Sequence, residues 1–187
     1  ASKRIRTRRA AKGFTWGMGI FIFFSDYFSP LFAGPIARPI TDRYRVSREM
    51  LAYILDSGSA PVVTLVPISG WAVYIAGLLA GYGAIHSAED GMVVFVRAIP
   101  FNLYGWLALL LAGATAFELA PTFGPMRSAE RRAREEGKLI RDGATPLSGH
   151  EMDEIRPLAG VRTWLGVYLF VPVAIVLGIS LGTFFVL

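Results

Sequence analysis

Apolar residues gather into four long runs separated by charged clusters. The first extends from Phe14 to about Ala37, the second from Met50 to about Tyr82, the third from Ala98 to about Ala120, and the fourth from Val161 to Leu187. Each reaches or exceeds the roughly 20 residues that carry a helix across a bilayer core. Backbone in lipid must satisfy its own hydrogen bonds, so runs of this length predict helices rather than loops or open strands. The expected fold class is all-α, a polytopic membrane protein with one transmembrane domain over residues 1–187. No soluble domain fits between the runs. Residues 121–160 form a charged connection whose AERRAREEGK stretch reads as a short solvated helix stopped at Gly137.

The basic residues sharpen this picture. Residues 1–12 hold six Lys and Arg, residues 38–49 four, residues 83–97 only Arg97, and residues 121–162 the remaining eight. Basic loops stay in the cytoplasm. The N-terminus, 38–49 and 121–160 are therefore expected inside a cell (plasma or inner) membrane, and the loop at 83–97, with Glu89 and Asp90, outside. The first run then has basic flanks at both ends, which a simple spanning helix cannot have. A re-entrant hairpin over 14–37 resolves the conflict, with Ser29-Pro30 and Gly34-Pro35 as its break. Irregular backbone at that depth is tolerated where protein or a water-filled cavity covers it.

The second run, over 50–82, is too long for one plain span and contains Asp56, Gly58, Pro61 and Pro67. Proline removes a donor and clashes with the preceding turn, so the run predicts a broken helix unwound near 57–61. Broken helices at mid-membrane are a recurrent way of building ion sites. The runs at 98–120 and 161–187 read as plain transmembrane helices.

Two acids stand out against this apolar background. Asp26 lies in FIFFSDYFSP and Asp56 in AYILDSGSAPVV. A charged carboxylate at membrane depth costs roughly 2.5–3.5 kcal/mol or more, so such residues usually face a cavity and bind or relay an ion. The alternatives are an interfacial position for Asp26, and a helix cap or a pair with Arg38 or Arg43 for Asp56. Ser57, Ser59, Thr64 and Ser69 surround the expected break beside Pro61. Their hydroxyls, with freed carbonyls, are hard oxygen ligands suited to a small cation, although each alone could equally bond its own helix. A small cation or a proton is expected at Asp26, Asp56 and Ser57. Ser25, Arg38, Thr41 and Asp42 are supporting candidates, the last three either orienting the hairpin or forming a cytoplasmic turn. Ser47, followed by Glu49, is placed to cap the helix entering the second run. His86 and His150 read as loop residues, and Glu118 as an interfacial group.

Composition excludes several classes. With no cysteine, disulfides, thiolate catalysis and Cys-based metal sites are ruled out. A pI near 9.8 raises nucleic acid as a partner, but the basic residues flank apolar runs instead of covering one face of a soluble module. No phosphate loop or nucleophile motif is present, so no enzyme activity and no cofactor are expected beyond the transported ions.

The stretches FFSDYFSPLFAGPIARPITDRYRVSREMLAYILDSGSAPVVTLVPISGW, AIPFNLYGWLALLL and FGPMRSAERRAREEGK resemble the NhaC family of sodium/proton antiporters, which also includes malate–lactate exchangers. The resemblance covers about residues 14–140. It implies an ion-transporter fold of two inverted repeats, each with a re-entrant hairpin and a broken helix, of which this chain is about one half. It also implies site roles for Asp26, the second acid of the family's acidic pair, and for Asp56, Ser57 and Pro61. Ser25 departs from the pattern by standing where the first acid belongs, and Gly58-Ser59 replaces the usual Thr-Ala. Loss of one carboxylate removes one proton carrier and bears directly on stoichiometry.

The expected function is secondary active exchange of Na⁺ for H⁺ by alternating access. A carboxylate exchanger of the malate–lactate type, coupled to Na⁺ or H⁺, is the alternative within the class. A non-transporting membrane subunit or truncated product is the alternative outside it. Expected partners are the lipid bilayer, Na⁺ and H⁺, the remaining half of the transporter, and a second copy in a homodimer, with no nucleic acid. The chain runs from Ala1 to a stop at Leu187 within an apolar run, as expected of a piece of a longer protein or a separately made half.

Overall fold

A computed structural model describes residues 5–144, together with 171, 172, 174–176, 178, 179 and 182. Two compact units result, Ala1–Asp142 and Gly143–Leu187. In the second unit the described residues from 171 onward are helical; most of the expected fourth span, His150 and the end of the 121–160 connection lie outside the described residues. The first unit is helical, with no strand among its described residues: α1 Arg8–Phe21, a π-helical turn Ser29–Ala33, α2 Gly34–Arg43, α3 Arg48–Leu65, α4 Gly70–Leu79, α5 Ala88–Ala98, a 3₁₀ turn Ile99–Phe101, α6 Leu103–Ala116 and α7 Gly124–Glu135.

Residues 5–45 form a helical hairpin. Thr7 caps α1 by accepting from the Ala10 N–H at 3.1 Å. The chain returns to the same end, where the Tyr44 hydroxyl donates to the Ile5 carbonyl and Arg8 donates to the Arg45 carbonyl. The turn at its tip comes earlier than the prolines suggested. Ser25 Oγ accepts from the Phe28 N–H at 3.3 Å, and Asp26 Oδ1 from the Tyr27 N–H at 3.1 Å. Such local side-chain acceptors offer the backbone an alternative to the helix. Ser29-Pro30 and Gly34-Pro35 instead open the π turn and α2, where a proline has few helical bonds to lose.

Helix α3 corrects the expected unwinding at 57–61, since it is continuous from Arg48 to Leu65 through Gly58 and Pro61. Pro61 brings no N–H to the carbonyl four residues before it, and burial of Gly58, Ser59, Pro61, Val62 and Val63 holds the helix together across it. The break falls at Pro67 instead, where Pro67 and Ile68 are exposed. A residue before proline is pushed out of the helical region, and Val66 is extended at φ −102°, ψ 120°. Ser69 then caps α4, accepting from the Ala72 N–H at 3.2 Å, while its hydroxyl donates back across the break to the Val63 carbonyl.

The third run also differs from a plain helix over 98–120. Ser87 and Asp90 close a reciprocal capping box, so a helix begins inside the expected loop at 83–97. It bends at Pro100–Asn102 before α6. At 14 residues, α6 is about 21 Å long, short of a bilayer core. No single described helix is long and apolar enough to cross a membrane. Two bent pairs are so by length and composition, α3 with α4 at 48°, and α5 through the 3₁₀ turn with α6 at 51°. The expected solvated helix is corrected too: α7 turns one face inward through Ala129, Glu130 and Ala133.

Glycines set how closely these helices approach. A Cβ on Gly91 would stand 2.2 Å from the Ala76 carbonyl oxygen, backbone against backbone. Gly91→Ala is therefore expected to destabilise the α4–α5 pair by about 1–3 kcal/mol, the usual range for overpacking. A Cβ on Gly77, which lies inside α4 and has nothing within 4 Å, is expected to stabilise by about 0.5–1 kcal/mol, the cost of glycine in a helix interior. Thermal unfolding of the two variants in detergent compares them directly.

Candidate functional site

The two candidate acids sit on neighbouring segments. Asp26 is half-buried in the hairpin turn, with Oδ1 taken by the Tyr27 N–H. Asp56 is exposed on α3 and makes no hydrogen bond or ion pair with any described residue. It is therefore neither a helix cap nor a partner of Arg38 or Arg43. The segments around the acids meet at Gly19 of α1, where a Cβ would lie 3.8 Å from both Ser29 Oγ and the Ser59 nitrogen. Below that point Ile22, Ala33, Ala37, Leu51 and Leu55 pack as one apolar cluster that joins the hairpin to α3. No hydrogen bond links Asp26 to Asp56.

The hydroxyl candidates divide by what they bond. Ser57 is half-buried. Ser59 is buried and donates to the Leu55 carbonyl at 2.6 Å, and Thr64 donates to the Pro61 carbonyl at 2.8 Å. Ser69 is the staple and cap described above. Pro61 lies buried inside α3, so it leaves the Ser57 carbonyl without its helical donor but exposes no unwound backbone. Thr41 is buried, donates to the Ala37 and Arg38 carbonyls, both at 3.1 Å, and offers its own carbonyl to Tyr44 and Val46. Asp42 holds Arg48 through both carboxylate oxygens. Thr41 and Asp42 therefore fasten the α2–α3 corner. Arg38 is half-buried in the middle of α2.

A second polar centre, not expected from the sequence, lies where 5–12, the α2–α3 corner, the end of α6 and α7 converge. Lys12 is 1% exposed and Glu130 4%. Glu130 Oε1 accepts from the Ser47 N–H at 3.1 Å and the Ser47 hydroxyl at 3.0 Å, while Oε2 pairs with Arg8. Ser47 Oγ in turn caps α3 by accepting from the Met50 N–H at 3.2 Å. Lys12 Nζ stands 2.9 Å from Glu118 Oε1 and 3.7 Å from Glu130 Oε2, and Arg134 reaches Glu118 at 3.2 Å. Arg132 adds contacts of 2.8 and 3.0 Å to the two oxygens of Glu49. The available signals were the spacing of Ala129, Glu130 and Ala133 on one helical face, and of Lys12 beside Ala11 and Thr15.

Glu118 closes α6 as a Schellman cap. It adopts a left-handed φ of 56°, with its N–H bonded to the Thr115 carbonyl and the Leu119 N–H bonded to the Ala114 carbonyl. A non-glycine residue there costs on the order of 1 kcal/mol, and the ion pairs to Lys12, Arg8 and Arg134 oppose that cost. Partial burial pushes the Glu118 carboxyl upward, but the hydrogen bond and charge of Lys12, followed by Arg134 and Arg8, outweigh it and hold the carboxyl below the usual 4.5.

With this geometry in place, the chain belongs to the Na⁺/H⁺ antiporter family, whose model matches residues 62–187. The match begins downstream of both Asp26 and Asp56. The chain is also similar to an uncharacterised protein of Haemophilus influenzae, 39% identical over 119 residues; the aligned stretch covers 63% of this chain and 23% of that relative. The chain thus spans about a quarter of the length of the relative it matches. No solved structure matches.

The ion network carries its own test. A depressed carboxyl contributes stability that is present above its unfolded value and is lost as pH falls through the folded one. The Glu118 contribution is therefore fully present well above pH 4.5 and disappears below it. Unfolding of Glu118→Gln is expected to lack that acid-dependent increment, visible as a smaller difference from the parent protein at pH 3.5 than at pH 7. Lys12→Met leaves Glu118 and Glu130 with one buried cation fewer and is expected to destabilise by about 3 kcal/mol.

Proposed function

We propose that this chain is part of a membrane antiporter that exchanges Na⁺ for H⁺ by alternating access, with Asp26 and Asp56 as the charged members of the site. One observation carries the proposal beyond family membership. Beyond the charged first turn of α3, Asp56 is the one charged residue of the helix and has no described partner, and a carboxylate in that position calls for a cation or a proton. Na⁺ and H⁺ would compete for it: binding of one displaces the other, so net movement of Na⁺ in one direction is matched by protons in the other. Ser57, through a carbonyl that Pro61 cannot bond, supplies a further oxygen.

The bent pairs α3–α4 and α5–α6 would span the cell membrane, with residues 5–45 as a re-entrant hairpin entering and leaving on the cytoplasmic side. The remainder of the transporter, and a second copy of it in a homodimer, would complete the lipid-embedded assembly. The single acid of the hairpin turn, with Ser25 in place of a second, favours fewer protons per cycle than a two-acid site.

In proteoliposomes holding the complete transporter, Asp56→Asn is expected to abolish Na⁺-driven pH change while preserving insertion and elution behaviour. Asp26→Asn is expected to alter the pH profile of exchange, and Ser25→Asp to raise the number of protons moved per Na⁺. Wild-type rates and pH profile in Asp56→Asn would remove that aspartate from the site. The hairpin is tested separately on the cysteine-free background of this sequence. Cysteines at the exposed positions Arg9 and Arg43 are both expected to resist an impermeant thiol reagent added outside cells. Labelling of one but not the other would contradict a hairpin.

A further inference from the structure

The hairpin meets α3 at a point stripped of side chains, and a polar group is buried there without a partner. Ser29 is 0% exposed, and its Oγ has no hydrogen-bond partner among the described residues. A buried hydroxyl left unpaired costs roughly 1–3 kcal/mol, so native structures rarely keep one without a use. Ser29 also opens a π-helical turn, Ser29–Ala33, a rare conformation that recurs at functional sites. Its Oγ and the Gly58 carbonyl carbon lie 3.8 and 3.9 Å from the position of a Cβ on Gly19. Gly19 thus keeps a side chain away from the hydroxyl.

We propose that Ser29 Oγ is a ligand of the transported cation, in a subsite where the π-helical turn meets α1 at Gly19 and α3 at Gly58–Ser59. This assignment rests on the cation-exchange reading above and adds a residue to it. The chemistry is that of hard oxygen donors. Ser29 offers hydroxyl lone pairs. Asp26 lies three residues before Ser29 in the same turn and brings a negative charge to this side of the hairpin. Trp16 Nε1, beside Gly58 at 3.9 Å from its Cβ position, is also buried and unpartnered. That N–H suits a carboxylate oxygen, but an organic anion entering here would meet the like charge of Asp26.

Two variants test the assignment. Ser29→Ala removes the oxygen and leaves the packing nearly unchanged. Gly19→Ala fits without a clash, since its neighbours stand at 3.8 Å, and places a methyl against the hydroxyl. Each is expected to raise the KM for Na⁺ about tenfold in proteoliposomes of the complete transporter, the scale of one lost contact to a charged group. Maximal rate is expected to stay near the parent's, and thermal unfolding without Na⁺ to occur no lower than the parent's, since Ser29→Ala removes an unpaired buried hydroxyl. Equilibrium binding of ²²Na⁺ to the purified protein is expected to weaken in parallel, whether or not turnover changes. Parental Na⁺ affinity in both variants would overturn the subsite while leaving Na⁺/H⁺ exchange standing. A parent protein that binds labelled malate but not ²²Na⁺ would overturn the exchange reading and the cation subsite together.

Discussion

The carboxylate of Glu130 is the point on which the first unit turns. It receives the Ser47 N–H and hydroxyl at the start of α3 and faces Arg8 and Lys12 on α1. A charge buried to this degree is costly unless every oxygen is satisfied, and here both are. One helix that is polar on its outer side is thereby fixed to the hairpin and to the first turn of the longest helix. Without it, Ser47 would still cap α3, but the corner between α2 and α3 would lose its anchor to α7, and Lys12 would be left with Glu118 alone. The placement of α1 against α3, and so of the hairpin turn against the middle of α3, follows from where this end is held.

Away from that anchor the packing depends on small residues. Ala11, Thr15 and Gly19 recur every four residues on the buried face of α1, which brings its backbone close to α3. Trp16 fills the gap between three helices: its ring lies 3.4 Å from a Cβ position on Gly58 and 3.0 Å from one on Gly113, and it meets Phe117 edge-on at 5.7 Å. Many apolar side chains on α4, α5 and α6 point away from this core. A soluble unit of this size does not leave so much apolar surface uncovered, whereas a bilayer or the rest of a longer membrane protein would cover it.

Much of this organisation was legible in the chain. Ser47 announced a helix start through its own chemistry, and Gly137 marked the end of α7 with its left-handed φ of 71°. The need for a break in the second run was also readable. Its place was not, because Pro61 and Pro67 look alike in sequence; burial keeps the first inside a helix, and exposure lets the second end one. The same limit applied at the hairpin, where Ser25 and Asp26, valued as ligands, are also the residues that form the turn. At the candidate site, Asp26 and Asp56 were evident as acids in apolar runs, while Ser29 was hidden, since nothing local distinguishes a serine that finds a partner from one that does not. The Glu130 network was missed for a related reason: it joins residues more than 80 positions apart, and a mixed run of Arg and Glu reads locally as a solvated surface.

The two bends are not independent. Asn102, which caps α6 just past the second bend, donates through Nδ2 to Thr64 Oγ1 at 3.3 Å, immediately before the first. Leu65 and Gly105 press together beside that bond, at 3.0 Å from a Cβ position on the glycine. Two kinked rods riveted at their elbows act as a single joint. If either arm pivots, the rivet must break or the other arm must swing with it, so the apolar halves on the far side of the elbows, α4 and α5, already in backbone contact at Gly91, are geared to move as one paddle.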